Sequence, residues 1–119
     1  MTSLLDTLKD GTGKNAQFPY APVGWTQEIA LNIARHEGLD LGEDHWEALR
    51  ALHEYYAKHE DITINMRELH DALDEKFHGK GGIKYIYLLF PGGPLAQGCR
   101  FAGLKAPAGA VDPGFGSVA

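Results

Sequence analysis

From position 25 onward, the apolar residues of this chain recur at helical spacing. Trp25, Ile29 and Ile33 stand four apart and predict one face of a helix, which Thr26 can cap and Gly38 can end. A second helix is predicted over residues 43–59. Trp46, Leu49, Leu52 and Tyr56 share one side of it, with Tyr55 alongside. Glu43 and Asp44 fall in its first turn, where negative charge suits the macrodipole. After a link at 61–63, Asn65 opens a third helix. Its side chain can accept from the backbone three residues on, and Glu68 stands where a capping-box acid belongs. Met66, Leu69, Leu73 and Phe77 form its stripe, and "HGKGG" breaks it. "IKYIYLLF" alternates like a strand, but Ile83, Ile86, Tyr87 and Phe90 also keep helical spacing. A lone strand would leave its backbone groups unpaired, so a helix is expected. "PGGP" forms a corner. Pro94 suits the first position of a last helix, on which Leu95, Cys99 and Ala102 share a face and which Gly103 stops.

The ends follow another pattern. Residues 1–24 contain "DGTGKNA" and "FPYAPVG", rich in residues that punctuate structure. A short helix at 3–9 or an extended piece at 18–20 is the most regularity expected there. Beyond Gly103, "LKAPAGAVDPGFGSVA" has Pro or Gly every few residues. The expected fold is therefore mainly α: a small orthogonal bundle of about five helices over 25–103. A weakly structured segment at 1–24 precedes it, and a flexible C-terminal arm and extension at 104–119 follows.

Composition narrows the function classes. The chain has 119 residues, 44% hydrophobic and 23% charged, as in one soluble globular domain. No apolar run approaches a bilayer-spanning length, and "MTSLLDTLKDGTGK" has no signal pattern, so a cytoplasmic location is expected. The single cysteine cannot form an internal disulfide. A net charge of −5 argues against general nucleic-acid binding, which must neutralise phosphates. Lys76, Lys80 and Lys84, with His78, nevertheless gather around a break between two helices. Lys80 and Lys84 are thus a candidate basic contact patch for DNA, against the plainer reading of a solvated loop.

Other chemistry has little to stand on. The histidines at 36, 45, 53, 59, 70 and 78 include no i, i+4 pair and read mostly as solvated helix positions, so no metal site is expected. "GKGG" lacks the pattern of a phosphate loop, and no serine-centred elbow occurs. The acid pairs Glu43/Asp44 and Glu60/Asp61 are explained by capping and solubility. No cofactor motif is present, and an independent enzyme is the least expected class. Cys99 remains. It is either a small core residue or a working thiol beside Arg100, a candidate thiolate stabiliser.

The stretch "KYIYLLFPGGPLAQGCRFAGLKAPAGAV", residues 84–111, resembles the DsrC/TusE sulfur-relay proteins, or dissimilatory sulfite reductase gamma-subunit-like family. "DHWEALRALHEYYAKHE", "ITINMRELHDAL" and Trp25 fit the same resemblance, which covers about residues 18–111. It implies a compact helical fold with a mobile arm, and a protein that carries sulfur between enzymes. Sulfur-transfer or sulfite-reductase-like proteins are the implied partners. Cys99 matches the family's upstream cysteine, whereas the arm position that carries the key thiol is Ala110 here. The arm motif is altered to "LKAPAG", and "DPGFGSVA" follows Val111. A methyl group cannot hold a persulfide, so Cys99 is the one sulfur-accepting thiol left. Two expectations follow: an accessory relay protein that docks on such partners, or a regulator that needs no thiol and binds DNA or a protein partner.

Overall fold

The computed structural model describes residues 17–60 and 63–107. Among them are five α-helices: α1 (Gln27–Glu37), α2 (Glu43–Lys58), α3 (Met66–Lys76), α4 (Ile83–Leu89) and α5 (Ala96–Ala102). A 3-10 turn at His78–Lys80 joins α3 to α4. The expected helices at 25–38, 43–59, around Asn65 to Phe77, at "IKYIYLLF" and before Gly103 are all present. The short helix expected at 3–9 lies outside the described residues, as does the arm from 108 on.

The helix ends follow their sequence signals. Thr26 Oγ1 accepts from Ile29 N at 3.4 Å, and Asn65 Oδ1 accepts from Glu68 N at 3.0 Å. The start of α2 uses an unexpected group: His45 Nδ1 accepts from Gly42 N at 3.0 Å, which leaves Nε2–H to donate to Leu89 O at 2.8 Å. Asp74 Oδ1 receives Ile83 N at 2.7 Å and so caps α4 from α3. The Gly93 carbonyl accepts from Gln97 N at 2.8 Å, so Pro94 lies in the turn that leads into α5.

α2 is the central element. It packs on α5, α3 and α4, while α1 packs on α5 and α3 on α4. A Cβ at Gly98 would stand 3.1 Å from Leu52 Cδ1, so glycine there lets α5 lie close on α2. The core comprises Phe18, Trp25, Leu49, Leu52, Leu69, Leu73, Ile86, Phe90, Cys99 and Phe101, with smaller residues between them. Phe18 is fully buried, so the turns at 17–24 are pinned to the bundle rather than loose. Its ring meets Trp25 edge-on at 5.0 Å, and the Arg50 guanidinium lies 4.7 Å from its centroid.

One predicted stripe is rotated. Trp25 precedes the cap of α1, so its direction is not set by the helix period. The buried face of α1 is Ala30 and Ala34, and Ile29 is 39% exposed. Small side chains there permit a close helix–helix approach, which a search for large apolar residues overlooks.

Trp25 and Gly103 fix where the C-terminal segment leaves the bundle. The indole Nε1–H donates to Phe101 O at 2.8 Å. Gly103 is left-handed, with φ 76°, and a Cβ on it would stand 2.7 Å from Trp25 Cδ1. Both the backbone angle and the missing side chain are needed for α5 to end under the indole.

Candidate functional site

Cys99 is fully buried on the face of α5 shared with Leu95 and Ala102. Its S–H donates to Tyr56 Oη at 3.6 Å. The Tyr56 hydroxyl in turn donates to Lys105 O at 2.6 Å, and Leu104 N donates to Cys99 O at 2.8 Å. The thiol, a tyrosine on α2 and the first residues after α5 therefore form one chain of contacts. Burial pushes the thiol up to about 11, with the Tyr56 hydrogen bond opposing in part. Burial also raises Tyr56 well above the ordinary phenol range, and the bond with Cys99 adds to the effect. A protonated, enclosed thiol is a poor nucleophile.

Arg100 is adjacent to Cys99 in sequence and directed elsewhere in space. Its guanidinium lies on Glu37, with Nη2 2.8 Å and Nε 3.1 Å from Oε2. Gln97 Nε2 donates to the same carboxylate at 2.9 Å, and Gln97 Oε1 accepts from Gly92 N at 2.8 Å. Glu37 thereby ties the end of α1 to α5 and, through Gln97, to the "PGGP" corner. A forked Arg–carboxylate pair of this kind is among the stronger polar contacts. The arginine expected to favour the thiolate is engaged as a structural tie.

The basic cluster is largely neutralised. Lys80 Nζ stands 2.7 Å from Asp44 Oδ1, and Tyr85 Oη donates to the other oxygen of that carboxylate. Lys76 is 3.9 Å from Glu47, while Lys84 is exposed. A phosphate backbone would compete with these acids for both paired lysines, which weakens the case for a DNA-binding face. Ala110 lies outside the described residues.

His53 corrects the expectation of solvated positions, whereas His36 and His78 are exposed as expected. His53 is 1% exposed and packs on the Trp25 indole with ring centroids 4.6 Å apart. The Ala102 carbonyl, 2.9 Å from Nε2, can only accept, so Nε2 carries the proton and Nδ1 is left as a buried acceptor without a partner among the described residues. His45 and His59 are half-buried, and His59 Nδ1 lies 2.8 Å from Tyr55 O. Among the described residues, no three His, Cys, Asp or Glu side chains gather as a metal site would need.

Burial depresses His53 below the ordinary imidazole range, opposed in part by the bond to Ala102. The folded state thus favours the neutral ring. Its contribution to stability is present above the unfolded imidazole value of 6.5 and is lost as pH falls below it. Thermal unfolding should show a midpoint that drops between about pH 7 and pH 5, and the drop should shrink in His53→Gln. An equal drop in both proteins would assign the effect to other groups.

His53 and Tyr56 also line a surface groove of about 600 Å³, bounded by the 19–23 turns, Ala57, His59, Ile64 and Leu104. Sequence reasoning placed Tyr56 in a core stripe and passed over Glu37. A signal for Glu37 existed: an acid in the last turn of a helix opposes the macrodipole, so it calls for a cationic partner.

The comparisons with known proteins agree with this architecture. The sequence matches the family described as "DsrC like protein" over residues 12–111. The Sulfurtransferase TusE of Salmonella typhimurium is 38% identical over 84 residues, covering 70% of this chain and 76% of the relative. That of Escherichia coli is 37% identical over the same shares. The NMR structure of Allochromatium vinosum DsrC superimposes with a TM-score of 0.60 at 38% identity, over 84% of this chain and 86% of that one. The crystal structure of the oxidized gamma-subunit of the dissimilatory sulfite reductase (DsrC) from Archaeoglobus fulgidus gives a TM-score of 0.56 at 32% identity, over 74% and 81%. With a family match across most of its length, a helical bundle in common and relatives above 30% identity, the chain belongs to the DsrC-like protein family.

Proposed function

We propose that this protein works in sulfur relay as an accessory member that docks on sulfur-transfer or sulfite-reductase-like proteins. The observation that carries this reading is the match to the DsrC-like family over residues 12–111, and the state of the one thiol gives it its accessory character. Cys99 is fully buried, and its pKa is pushed up to about 11. The family's arm position holds Ala110, which offers no sulfur nucleophile. The retained bundle supplies a docking body, and Cys99 is the only group that can take up sulfur once it is opened. Lys84, exposed on α4, and Lys80, once freed from Asp44, are the contact residues offered to an acidic partner surface.

The experiment is incubation with a persulfide donor, followed by intact-mass measurement. The native protein should gain at most a slow adduct of about 32 Da, absent from Cys99→Ala. A rapid adduct comparable to that of a free thiol would refute the closed resting state. Complete absence of an adduct, even with a docked partner present, would favour the second reading. In that reading the protein is a regulator that needs no thiol, and the enclosure of Cys99 favours it.

A further inference from the structure

Tyr56 has a single hydroxyl hydrogen and two neighbours that can compete for it. While Cys99 is a thiol, its S–H donates to Tyr56 Oη at 3.6 Å, and the tyrosine hydrogen is free to donate to Lys105 O at 2.6 Å. A sulfur anion has no hydrogen to give and needs a donor. The only side-chain donor bonded to Cys99 among the described residues is that same hydroxyl. Both neighbours cannot then be served.

We propose that Tyr56 is a one-proton switch, a positioning residue that holds the Lys105 backbone on α2 while Cys99 is a thiol and releases it when the sulfur becomes an anion. Space for the change is present on the outer side. Tyr56 and Leu104 both line the groove of about 600 Å³, so the chain at Lys105 has room to shift there while Leu104 N stays bonded to Cys99 O at 2.8 Å. His53 lines the same groove and holds Ala102 O at 2.9 Å, which keeps the end of α5 in place while the chain at Lys105 shifts.

The charges nearby leave this role to Tyr56. On α1, Glu37 is occupied by Arg100 of α5. On α2, His53 is bonded to Ala102 O and is held toward its neutral form, while the Tyr55 phenol is raised by burial. Lys105 itself is exposed.

The switch deepens the proposed function by giving a consequence to sulfur loading. A Cys99 thiolate attacks the outer sulfur of a donor persulfide. The donor's S–S bond breaks, its inner sulfur leaves as a thiolate, and Cys99 becomes a persulfide with no net oxidation. A persulfide is a stronger acid than a thiol, so loading moves the release to a lower pH than the bare thiol requires.

The test uses the full chain and neither a sulfur donor nor a partner, so it can fail independently of the sulfur-relay reading. Trypsin cleavage after Lys105 is timed between about pH 8 and about pH 10 and divided by the rate on a free peptide spanning that bond. Burial pushes the enclosed thiol up to about 11, so across that interval its anion fraction rises about tenfold per pH unit. Wild-type opening should therefore climb up to about tenfold per pH unit across that interval. Cys99→Ala should stay slow and flat. Tyr56→Phe should start about two- to tenfold faster, as loss of one hydrogen bond predicts, and also stay flat. A wild-type climb in Cys99→Ala overturns the proposal. So does a wild-type climb in Tyr56→Phe, because burial alone would then couple the sulfur to the Lys105 backbone. Should Tyr56→Phe fail to fold, Tyr56→Leu, which also lacks the hydroxyl, takes its place with the same two outcomes.

Discussion

Trp25→Ala is expected to lower the free energy of unfolding by about 3–5 kcal/mol, the range for emptying a large aromatic site. Trp25 is 6% exposed and lies edge-on to Phe18 and His53. Its loss leaves a cavity among rings that cannot collapse into it. It also strips the 2.8 Å hydrogen bond from Phe101 O, and a carbonyl left unpaired in the interior adds to the cost. Urea titration followed by circular dichroism gives the difference directly, with a lower midpoint and an unchanged slope. Trp25→Phe should recover much of the packing without the hydrogen bond. A cost for Trp25→Ala below about 1 kcal/mol would show that the indole does not hold the base of the arm.

The second large effect concerns reactivity. Below both values, a thiol at about 11 carries about a hundredth of the thiolate of an ordinary one near 9. Iodoacetamide should therefore alkylate Cys99 at least about a hundredfold more slowly than a free cysteine peptide at about pH 8, with burial slowing it further. Denaturant should restore the peptide rate. Alkylation of the native protein within about tenfold of the peptide would mean that the thiol is open at rest, which would remove the premise for accessory behaviour.

Much of the fold was legible because helix signals are local. Thr26, Asn65 and Gly103 act within one turn of themselves, and each does in the structure what its type and position indicate. The choice of helix for "IKYIYLLF" rested on backbone accounting and holds. The face of α1 was not legible, because Ala30 and Ala34 carry no strong apolar signal and Trp25 lies outside the helical period. His53 could have been found: it stands four residues after Leu49 and three before Tyr56, on the buried side of α2. The site was harder to read. Cys99 and Arg100 are neighbours in sequence, but successive helix residues point apart, and Glu37 lies 63 positions from its arginine. The meeting of Cys99, Tyr56 and Lys105 depends on how α5 crosses α2, a tertiary fact with no local signature.

The carboxylate of Glu37 has a mechanical consequence. It clamps the end of α1 to α5 and, through Gln97, to the loop before α5, so these parts behave as one stator. Beside Cys99, the Tyr56 hydroxyl on Lys105 O and the Leu104 N–H on Cys99 O hold the first residues after α5. A pull on the residues after α5 therefore strains the neutral Tyr56–Lys105 bond before it strains the charge-assisted Glu37 clamp.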